Sequence, residues 1–342
     1  MLSLKRFVCY FLSVFLFLPT VIFGGVVLGK YGSAFLETGV GARALGMGGA
    51  YVAVTGDVAS IYWNPAGLIS LKVVQIYGMH SEQFSGIVNR DFGGIGVPLG
   101  EDFALGFGFL RLGVDEIPFT ELRNPSRSLG EIYFDEYGRR VRNEPFVSKY
   151  VNDNETAFLF SFTRKNSARF SYGGNIKLIR KSVEKYGAWG IGFDFGVLFN
   201  PYRFLRMGAV LLDGTSTLIA WNTGRRELIS PKLRTGAAYQ FKISRVNVLT
   251  VFDVETTFEN RGPAVQVALG RLGFDFRSGL EIGLKNRIAM RIGLNRGNLT
   301  AGAGFMVSAI RIDYGFSQHF DLGSTHRISI TLFWNKKRFL QL

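Results

Sequence analysis

From residue 73 onward, the hydrophobic pattern of this chain repeats every second residue. Between Phe103 and Phe109, every odd position carries a large apolar residue and every even position carries Ala or Gly. Between Ile310 and Phe316, apolar residues alternate with polar residues and Gly. Because successive side chains of a β-strand point to opposite faces, this period predicts strands with one apolar face. Between Ile310 and Phe316, the charged residues fall on the opposite face only.

The alternation predicts fourteen strands, most of them eight to twelve residues long. A tilted strand needs about 9–11 residues to cross a bilayer, so these lengths suit a membrane barrel. The predicted strands are residues 73–81, 88–98, 103–112, 155–164, 169–180, 188–199, 203–212, 231–241, 245–255, 273–284, 287–294, 298–306, 309–317 and 326–334.

The connections between these strands sort by length. Those after even-numbered strands are short, whereas the long ones, at 113–154, 213–230, 256–272 and 318–325, all follow odd-numbered strands. In an up-and-down meander, all the long connections therefore emerge at one end, as in outer-membrane barrels with short periplasmic turns and long external loops. An even strand number also lets the sheet close with both termini at one end. The sequence predicts an all-β, antiparallel transmembrane barrel at residues 73–342.

A secreted β-sandwich or propeller is the alternative fold for this pattern. It is disfavoured because the core between its sheets would have to hold large Phe and Trp side chains from almost every strand. The chain has 32 Phe among 342 residues and 47% apolar residues, which excludes a disordered protein. Its 43 Gly residues count against a helix-rich bundle.

The N-terminus is typical of a secretory signal. Lys5 and Arg6 precede an apolar run at 7–18, and small residues follow at Gly24 and Gly25. We therefore predict that residues 1–25 are a cleaved signal peptide and that the mature protein lies in the cell outer membrane. An uncleaved anchor helix is the alternative, because it needs about 20 apolar residues to span a bilayer and residues 7–27 are just long enough.

The residues that bind metals in other proteins are scarce and scattered. The one cysteine, Cys9, lies in the predicted signal, so the mature chain has no disulfide and no thiolate ligand. The three histidines, His80, His319 and His326, have no metal-ligand spacing. We predict no metal and no cofactor. Nor do we predict nucleic-acid binding, because the positive residues are spread along strands and form no basic patch.

Residues 26–72 precede the predicted barrel, and from residue 30 they do not alternate. Gly39, Gly41 and Ala44 imitate a dinucleotide-binding fingerprint, but no apolar strand precedes them and no βαβ unit follows. Two other blocks are more specific. They read Gly41-Ala-Arg-Ala-Leu-Gly-Met-Gly-Gly-Ala50 and Tyr62-Trp-Asn-Pro-Ala-Gly-Leu68. A third block, Asp313-Tyr-Gly-Phe-Ser317, lies near the other terminus. In these blocks the chain resembles the PorV/PorQ family of outer-membrane proteins, which belongs with the FadL-like transport barrels.

The resemblance implies a fourteen-stranded barrel with an N-terminal plug in its lumen. Glycines permit close backbone packing in a narrow lumen, and Asn64 before Pro65 favours a turn or helix start. We expect Asn64, Pro65 and Gly67 to stabilise the plug without binding a ligand. The predicted plug motif is Gly46, Gly48, Gly49, Asp57, Trp63, Asn64, Pro65 and Gly67.

The polar face of the strands supplies a set of lumen-facing charges with a positive excess. They attract an anionic solute in one interpretation, and form ion pairs across strands and with the plug in the other. The predicted residues are Lys177, Asp194, Arg206, Arg234, Asp253, Glu281, Arg291, Arg311, Asp313 and Arg327.

Two functions remain open, and the predicted partners are outer-membrane lipid with either a hydrophobic solute or a secreted protein cargo. The first is passage of small hydrophobic or amphipathic solutes. A wall gap in the second strand, at Gly93, Gly94, Gly96 and Pro98, is the predicted route. The second, implied by the PorV resemblance, is cargo binding for a type IX secretion system.

The long loop 113–154 would offer Phe119, Tyr133, Phe134 and Tyr137 to such a cargo. An enzyme is not predicted, because alternation places His80 and Ser81 on opposite faces of one strand.

Overall fold

The computed structural model describes residues 26–28, 34–285, 287–319 and 323–334. The predicted signal peptide, residues 1–25, lies outside the described residues. Fourteen antiparallel strands form one sheet, in which each strand pairs with the next and β14 pairs with β1. The sheet is therefore a closed barrel.

All fourteen predicted strands are present, which confirms the predicted fold class. Most ends lie within a few residues of the prediction. The strands are β1 Val74–Gln83, β2 Val88–Pro98, β3 Phe103–Leu122, β4 Pro145–Lys165, β5 Phe170–Val183, β6 Tyr186–Tyr202, β7 Leu205–Leu212, β8 Lys232–Ile243, β9 Val246–Thr257, β10 Leu272–Leu284, β11 Ile288–Asn295, β12 Asn298–Val307, β13 Ile310–His319 and β14 Gly323–Trp334.

The two faces of the sheet have opposite character. On β1, Gln75, Tyr77 and Ser81 are buried, whereas Ile76 between them is 40% exposed. The outward positions of most strands are exposed Phe, Leu, Ile and Val, such as Phe195, which is 50% exposed. A continuous apolar belt of this size is stable only when lipid tails cover it. The barrel is therefore a transmembrane barrel.

An aromatic cluster marks the short-turn end of this belt. Tyr202, Phe204, Tyr239 and Phe241 contact one another in sequence, with ring centroids 5.3 to 5.7 Å apart. Aromatic side chains prefer the boundary between lipid tails and headgroups, so the cluster lies at the level of one membrane surface.

Residues 34–72, which we call the N-terminal segment, lie within the barrel. The segment hydrogen-bonds to the inward-facing side chains of Asn175 in β5, Asp253 in β9, Thr300 in β12 and Ser329 in β14. None of the described helices is long and apolar enough to span a bilayer. The helices of the segment are α1 Ala34–Glu37, α2 Ala42–Gly46, α3 Ser60–Trp63 and a 3₁₀ helix at Pro65–Ser70, and a further 3₁₀ helix lies at Gly262–Ala264.

Three of the predicted loops contain more β-structure than the sequence pattern indicates. Residues 113–122 and 145–154 extend β3 and β4 beyond the other strands as a two-stranded ribbon. A hairpin, Ile132–Phe134 with Arg140–Arg142, follows at its tip. Both faces of the ribbon meet water, so its sequence lacks the apolar alternation that identifies the barrel strands. The other additions are Thr217–Trp221, Arg226–Ile229 and Val267–Leu269.

The predicted gap in the second strand is wrong. β2 pairs without interruption with β1 from Val88 to Gly96, and with β3 from Asn89 to Pro98. Its glycines face the lumen or the lipid, and they do not interrupt the hydrogen bonds to the neighbouring strands. At Gly94 and Gly96, added Cβ atoms would lie 2.9 Å from Val58 and 2.5 Å from Leu71, so the missing side chains leave room for the N-terminal segment.

Candidate functional site

The Asn-Pro-Ala turn of the N-terminal segment contacts the inner wall through its polar atoms. Asn64 donates from Nδ2 to the carbonyl oxygens of Val52 (3.0 Å) and of Val197 in β6 (3.1 Å). Its Oδ1 accepts from the N–H of Ala66, which caps the 3₁₀ helix that begins at Pro65. These contacts favour a structural role for the turn, which remains a prediction.

The glycines of the segment allow its backbone to touch the wall. Gly48 has φ of +68°, and a Cβ there would lie 2.4 Å from the carbonyl oxygen of Leu294. At Gly46, a Cβ would lie 3.0 Å from Cα of Gly302. Side chains at these positions would separate the segment from β11 and β12.

A cluster of ion pairs joins the segment to β10, β11 and β13. Arg43 lies 2.7 Å from Glu281 and 3.3 Å from Asp57, which also lies 3.3 Å from Arg311. Arg291 continues the chain of charges, 2.5 Å from Glu281. Its Nη2 lies 2.8 Å from Asp313. Five of the predicted plug and lumen residues thus lie together, with Arg43 added by the structure.

A pocket of about 300 Å³ opens beside this cluster, at the short-turn end of the lumen. Arg206 and Arg287 line it and have no carboxylate partner among the described residues. Nη2 of Arg206 lies 3.4 Å from Gln240. The mouth of the lumen at this end is therefore positively charged.

A second cluster lies on β5 and β6. Lys177 lies 2.8 Å from Asp194 and 2.5 Å from Asp213, and all three side chains are buried. Asn175 donates to both Asp194 (3.2 Å) and the carbonyl oxygen of Ile61 (2.8 Å). The wall and the N-terminal segment are therefore hydrogen-bonded to each other here too.

The other predicted charges also face the lumen. Asp253 accepts from the N–H groups of Tyr51 (2.6 Å) and Val52 (2.9 Å), and Nη2 of Arg327 donates to the carbonyl oxygen of Thr38 (3.2 Å). Arg234 lies over the ring of Trp63 at 5.4 Å.

The structure adds buried charges that the sequence reasoning missed, namely Arg90, Glu255, Asp275 and Arg277. The signal for them was present, because Glu255 follows Asp253 by two residues and therefore faces the same way.

The wall between β6 and β7 is irregular beyond Leu211. Leu211 pairs with Phe195 and Leu218 pairs with Ile191, so six residues, 212–217, lie opposite only three residues of β6, 192–194. On the other side, Leu212 and Thr217 pair with positions 232 and 229. We call residues 213–216 the wall break. A bulge of this size locally removes the ladder that closes a barrel wall.

Buried polar contacts hold the wall break in place. The N–H of Gly214 donates to the carbonyl oxygen of Phe193 (2.8 Å), and the N–H of Asp213 donates to Asp194 (2.9 Å). Asp213 and Ser216 have φ of +53° and +58°, a left-handed conformation that costs a non-glycine residue about 1 kcal/mol. A small pocket of about 30 Å³ lies behind the break, lined by Leu36 and Tyr62 among others.

No arrangement typical of an enzyme is found around His80 and Ser81. His80 faces outward and contacts Asp91, whereas Ser81 faces inward and donates to the carbonyl oxygen of His326. Among the described residues, no group of three His, Cys, Asp or Glu side chains could hold a metal ion.

Comparisons with known proteins identify the fold. No protein-family model matches the sequence, and the search of curated proteins gives no match. The structure is similar to the toluene transporter TbuX of Ralstonia pickettii, with a TM-score of 0.56 and 12% identity over 87% of this chain and 99% of that one. A FadL homologue of Pseudomonas aeruginosa gives a TM-score of 0.53 and 11% identity, over 86% and 98% of the two chains.

The Pseudomonas putida toluene transporter TodX gives a TM-score of 0.53 and 12% identity, over 87% and 99%. The chain therefore has the FadL-like barrel fold. The narrower resemblance to PorV/PorQ remains a prediction.

Proposed function

We propose that this protein is an outer-membrane transporter for small hydrophobic or amphipathic solutes, with the N-terminal segment as a plug. Two of the structurally similar proteins are named as toluene transporters, and each matches over nearly its whole length. The exposed apolar belt supports a location in the membrane, and the short, cleavable N-terminal signal predicted from sequence supports export.

The observation that carries the proposal is the wall break beside a filled lumen. Because the N-terminal segment packs against strands on several sides, a straight route along the barrel axis is obstructed. A hydrophobic solute leaves water readily and dissolves in lipid tails, so a lateral route suits it. At the wall break, 213–216, such a route meets fewer ladder hydrogen bonds than it would between regularly paired strands.

Lys177 is positioned to keep this route closed. Its ammonium group lies between Asp194 and Asp213, and therefore ties the irregular segment to the regular wall. Thr217, at the far end of the break, donates to the same carboxylate of Asp213. Loss of the ammonium group would leave the two aspartates repelling each other and would loosen the break.

The experiment is uptake of toluene, and separately of a long-chain fatty acid, by liposomes that contain the full mature chain. We expect faster uptake than in protein-free liposomes, and a severalfold increase in Lys177→Met. Lys181→Met is the matched control, because Lys181 is buried on the same face of β5 but pairs with Glu155, 2.6 Å away and outside the break. Uptake equal to that of empty liposomes for both solutes would overturn the proposal.

Cargo binding is the second candidate, and the β3–β4 ribbon is the observation that favours it. The ribbon and its tip carry exposed aromatic side chains, including Phe119, Phe134, Tyr137 and Tyr150. Exposed aromatics of this kind form the anchors of protein interfaces. Pull-down with the wild-type protein, and with a variant lacking residues 123–144, tests it. Recovery of the same proteins by both would count against the ribbon tip as a docking site.

A further inference from the structure

A row of outward-facing residues lies where the apolar belt ends on the long-loop side of β1 to β6. On β5, Ile176 and Leu178 are exposed apolar residues of the belt, and Arg180 follows them on the same face. One such residue from each of these six strands forms what we call the outward row, in which each member is the cross-strand partner of the next. Its members are His80, Asp91, Arg111, Thr156, Arg180 and Trp189.

The first half of the outward row is charge-balanced. Asp91 lies 2.7 Å from Nδ1 of His80 and 3.5 Å from Nη1 of Arg111. Arg111 also donates to Asn154 (2.8 Å). The cation of this half therefore already has a carboxylate partner.

The second half carries positive charge without such a partner. Arg180 stacks over Trp189, with its guanidinium carbon 5.1 Å from the ring centroid. Its Nη1 donates to the carbonyl oxygen of Ala188 (3.3 Å), and no described carboxylate pairs with it. A Cβ on Gly187 would lie 2.7 Å from this nitrogen, so the glycine leaves the space that the guanidinium occupies.

An open pocket of about 390 Å³ lies at this position. Lys185, in the turn between β5 and β6, lines it together with Arg180. It interacts with the charge of neighbouring Glu184 but forms no direct ion pair among the described residues. The one carboxylate in the lining, Glu184, is ion-paired with Lys149 of the ribbon. Asn222 fixes the turn by donating to the carbonyl oxygen of Lys185 (3.1 Å). The pocket is therefore preformed and positive.

We propose that this pocket binds the phosphate group of a phosphorylated lipid in the adjoining membrane leaflet. Arg180 and Trp189 share the face that the lipid tails cover, so a lipid molecule lies beside them whenever the barrel is in a membrane. Guanidinium and ammonium groups at this depth bind lipid phosphates, and tryptophan prefers the same level of the bilayer. Tails of the bound lipid extend along Leu178 and Ile191, both of which are exposed.

The experiment measures binding of a phosphorylated glycolipid, lipid A, to the full mature chain in neutral detergent, followed by native mass spectrometry. Two further probes are the same glycolipid without its phosphates and inorganic phosphate alone. We expect binding of the phosphorylated lipid only. Each of Arg180→Gln and Lys185→Gln is expected to weaken binding about fivefold, and the double variant roughly thirtyfold.

Arg111→Gln is the matched control, because Arg111 lies in the same row but faces Asp91. It should bind the lipid like the wild type. Heat-dependent migration on gels shows whether each variant still forms the barrel. Equal binding of the dephosphorylated lipid, or unchanged affinity in the folded double variant, would overturn the proposal. Saturable binding of inorganic phosphate alone would also overturn it, because it would show an anion site that does not require a lipid.

Discussion

Two groups of buried arginines on the inward face of the barrel differ in how their charge is balanced. In the first, Arg277 lies 3.4 Å from Glu255 and Arg234 is ion-paired with the same carboxylate. The half-buried Arg296 also lies 3.1 Å from Glu255. In the second, Arg90 and Arg327 are fully buried on either side of Ser81 in β1, and neither pairs with a described carboxylate. Burial of a charge therefore does not predict an ion pair in this lumen.

The second group has few compensating partners. Arg327 donates to the carbonyl oxygen of Thr38 in the N-terminal segment, whereas the guanidinium nitrogens of Arg90 make no hydrogen bond to the described residues. Neutral oxygens compensate only part of the cost of taking a guanidinium out of water. The two groups should thus respond in opposite ways when a charge is removed.

The largest effect is expected for Glu255→Gln. This change leaves two buried arginines, Arg234 and Arg277, without their shared carboxylate, and breaking a buried ion pair from one side costs about 3–5 kcal/mol. The free energy of unfolding in lipid vesicles, measured with guanidinium chloride, tests it. Glu136→Gln, at an exposed position in the ribbon tip, is the control and should change stability by less than about 0.5 kcal/mol. A cost below about 1 kcal/mol for Glu255→Gln would show that the arginines paired with Glu255 do not depend on its charge, and would contradict the distinction between the two groups.

The next effect concerns the ion pair that ties the N-terminal segment to the wall. A double-mutant cycle with Arg43→Gln and Glu281→Gln should give a coupling energy of about 1–3 kcal/mol, because the two side chains are in direct contact. Arg43→Gln with Glu136→Gln is the matched cycle for distant residues and should give none. A coupling energy near zero for the first cycle would show that the segment does not depend on this pair.

The wall of the barrel was predictable from sequence, whereas the partners of its inward charges were not. Alternation from Phe103 to Phe109 or from Ile310 to Phe316 arises because the pleat of a strand points successive side chains to opposite faces. The local sequence therefore predicts both the strand and the face on which each residue lies. Which carboxylate faces Arg234 depends on how β8 and β9 are aligned. That register joins Arg234 to Glu255, and the sequence pattern is the same for a shifted register.

The site shows the same limit. The Asn64 turn was recognisable as a motif, but its contact with Val197 of β6 crosses 133 positions in the chain. The wall break at 213–216 was predicted as an ordinary loop, because Asp213-Gly-Thr-Ser216 has turn-forming residues that suit both structures. The glycines of β2 suggested a gap, yet they instead provide room for Val58 and Leu71.

The comparison predicts a small effect of opposite sign for Arg327→Met. Replacing an unpaired buried charge with an apolar side chain of similar length removes a desolvation cost, so stability should be unchanged or higher by about 1 kcal/mol. Arg277→Met is the matched control on the paired side and should be destabilising. If Arg327→Met loses more than about 2 kcal/mol in the same unfolding assay, Arg327 has a counter-charge after all.

The smallest effect is the pH dependence carried by Glu37, the acidic residue that anchors the start of the segment. Burial raises the pKa of Glu37, but Lys232 and Arg261 outweigh it and hold that pKa below the usual value. A carboxyl group with a lowered pKa in the folded state stabilises the protein above its unfolded pKa, and this contribution disappears as the pH falls through the folded value.

Wild type should therefore exceed Glu37→Gln in stability by about 1 kcal/mol at pH 7, and the difference should shrink below about pH 4.5. Unfolding midpoints between pH 3 and 7 measure this. A difference that grows toward acid pH would mean that Glu37 is protonated in the folded protein, and that Lys232 lacks a counter-charge just as Arg90 does.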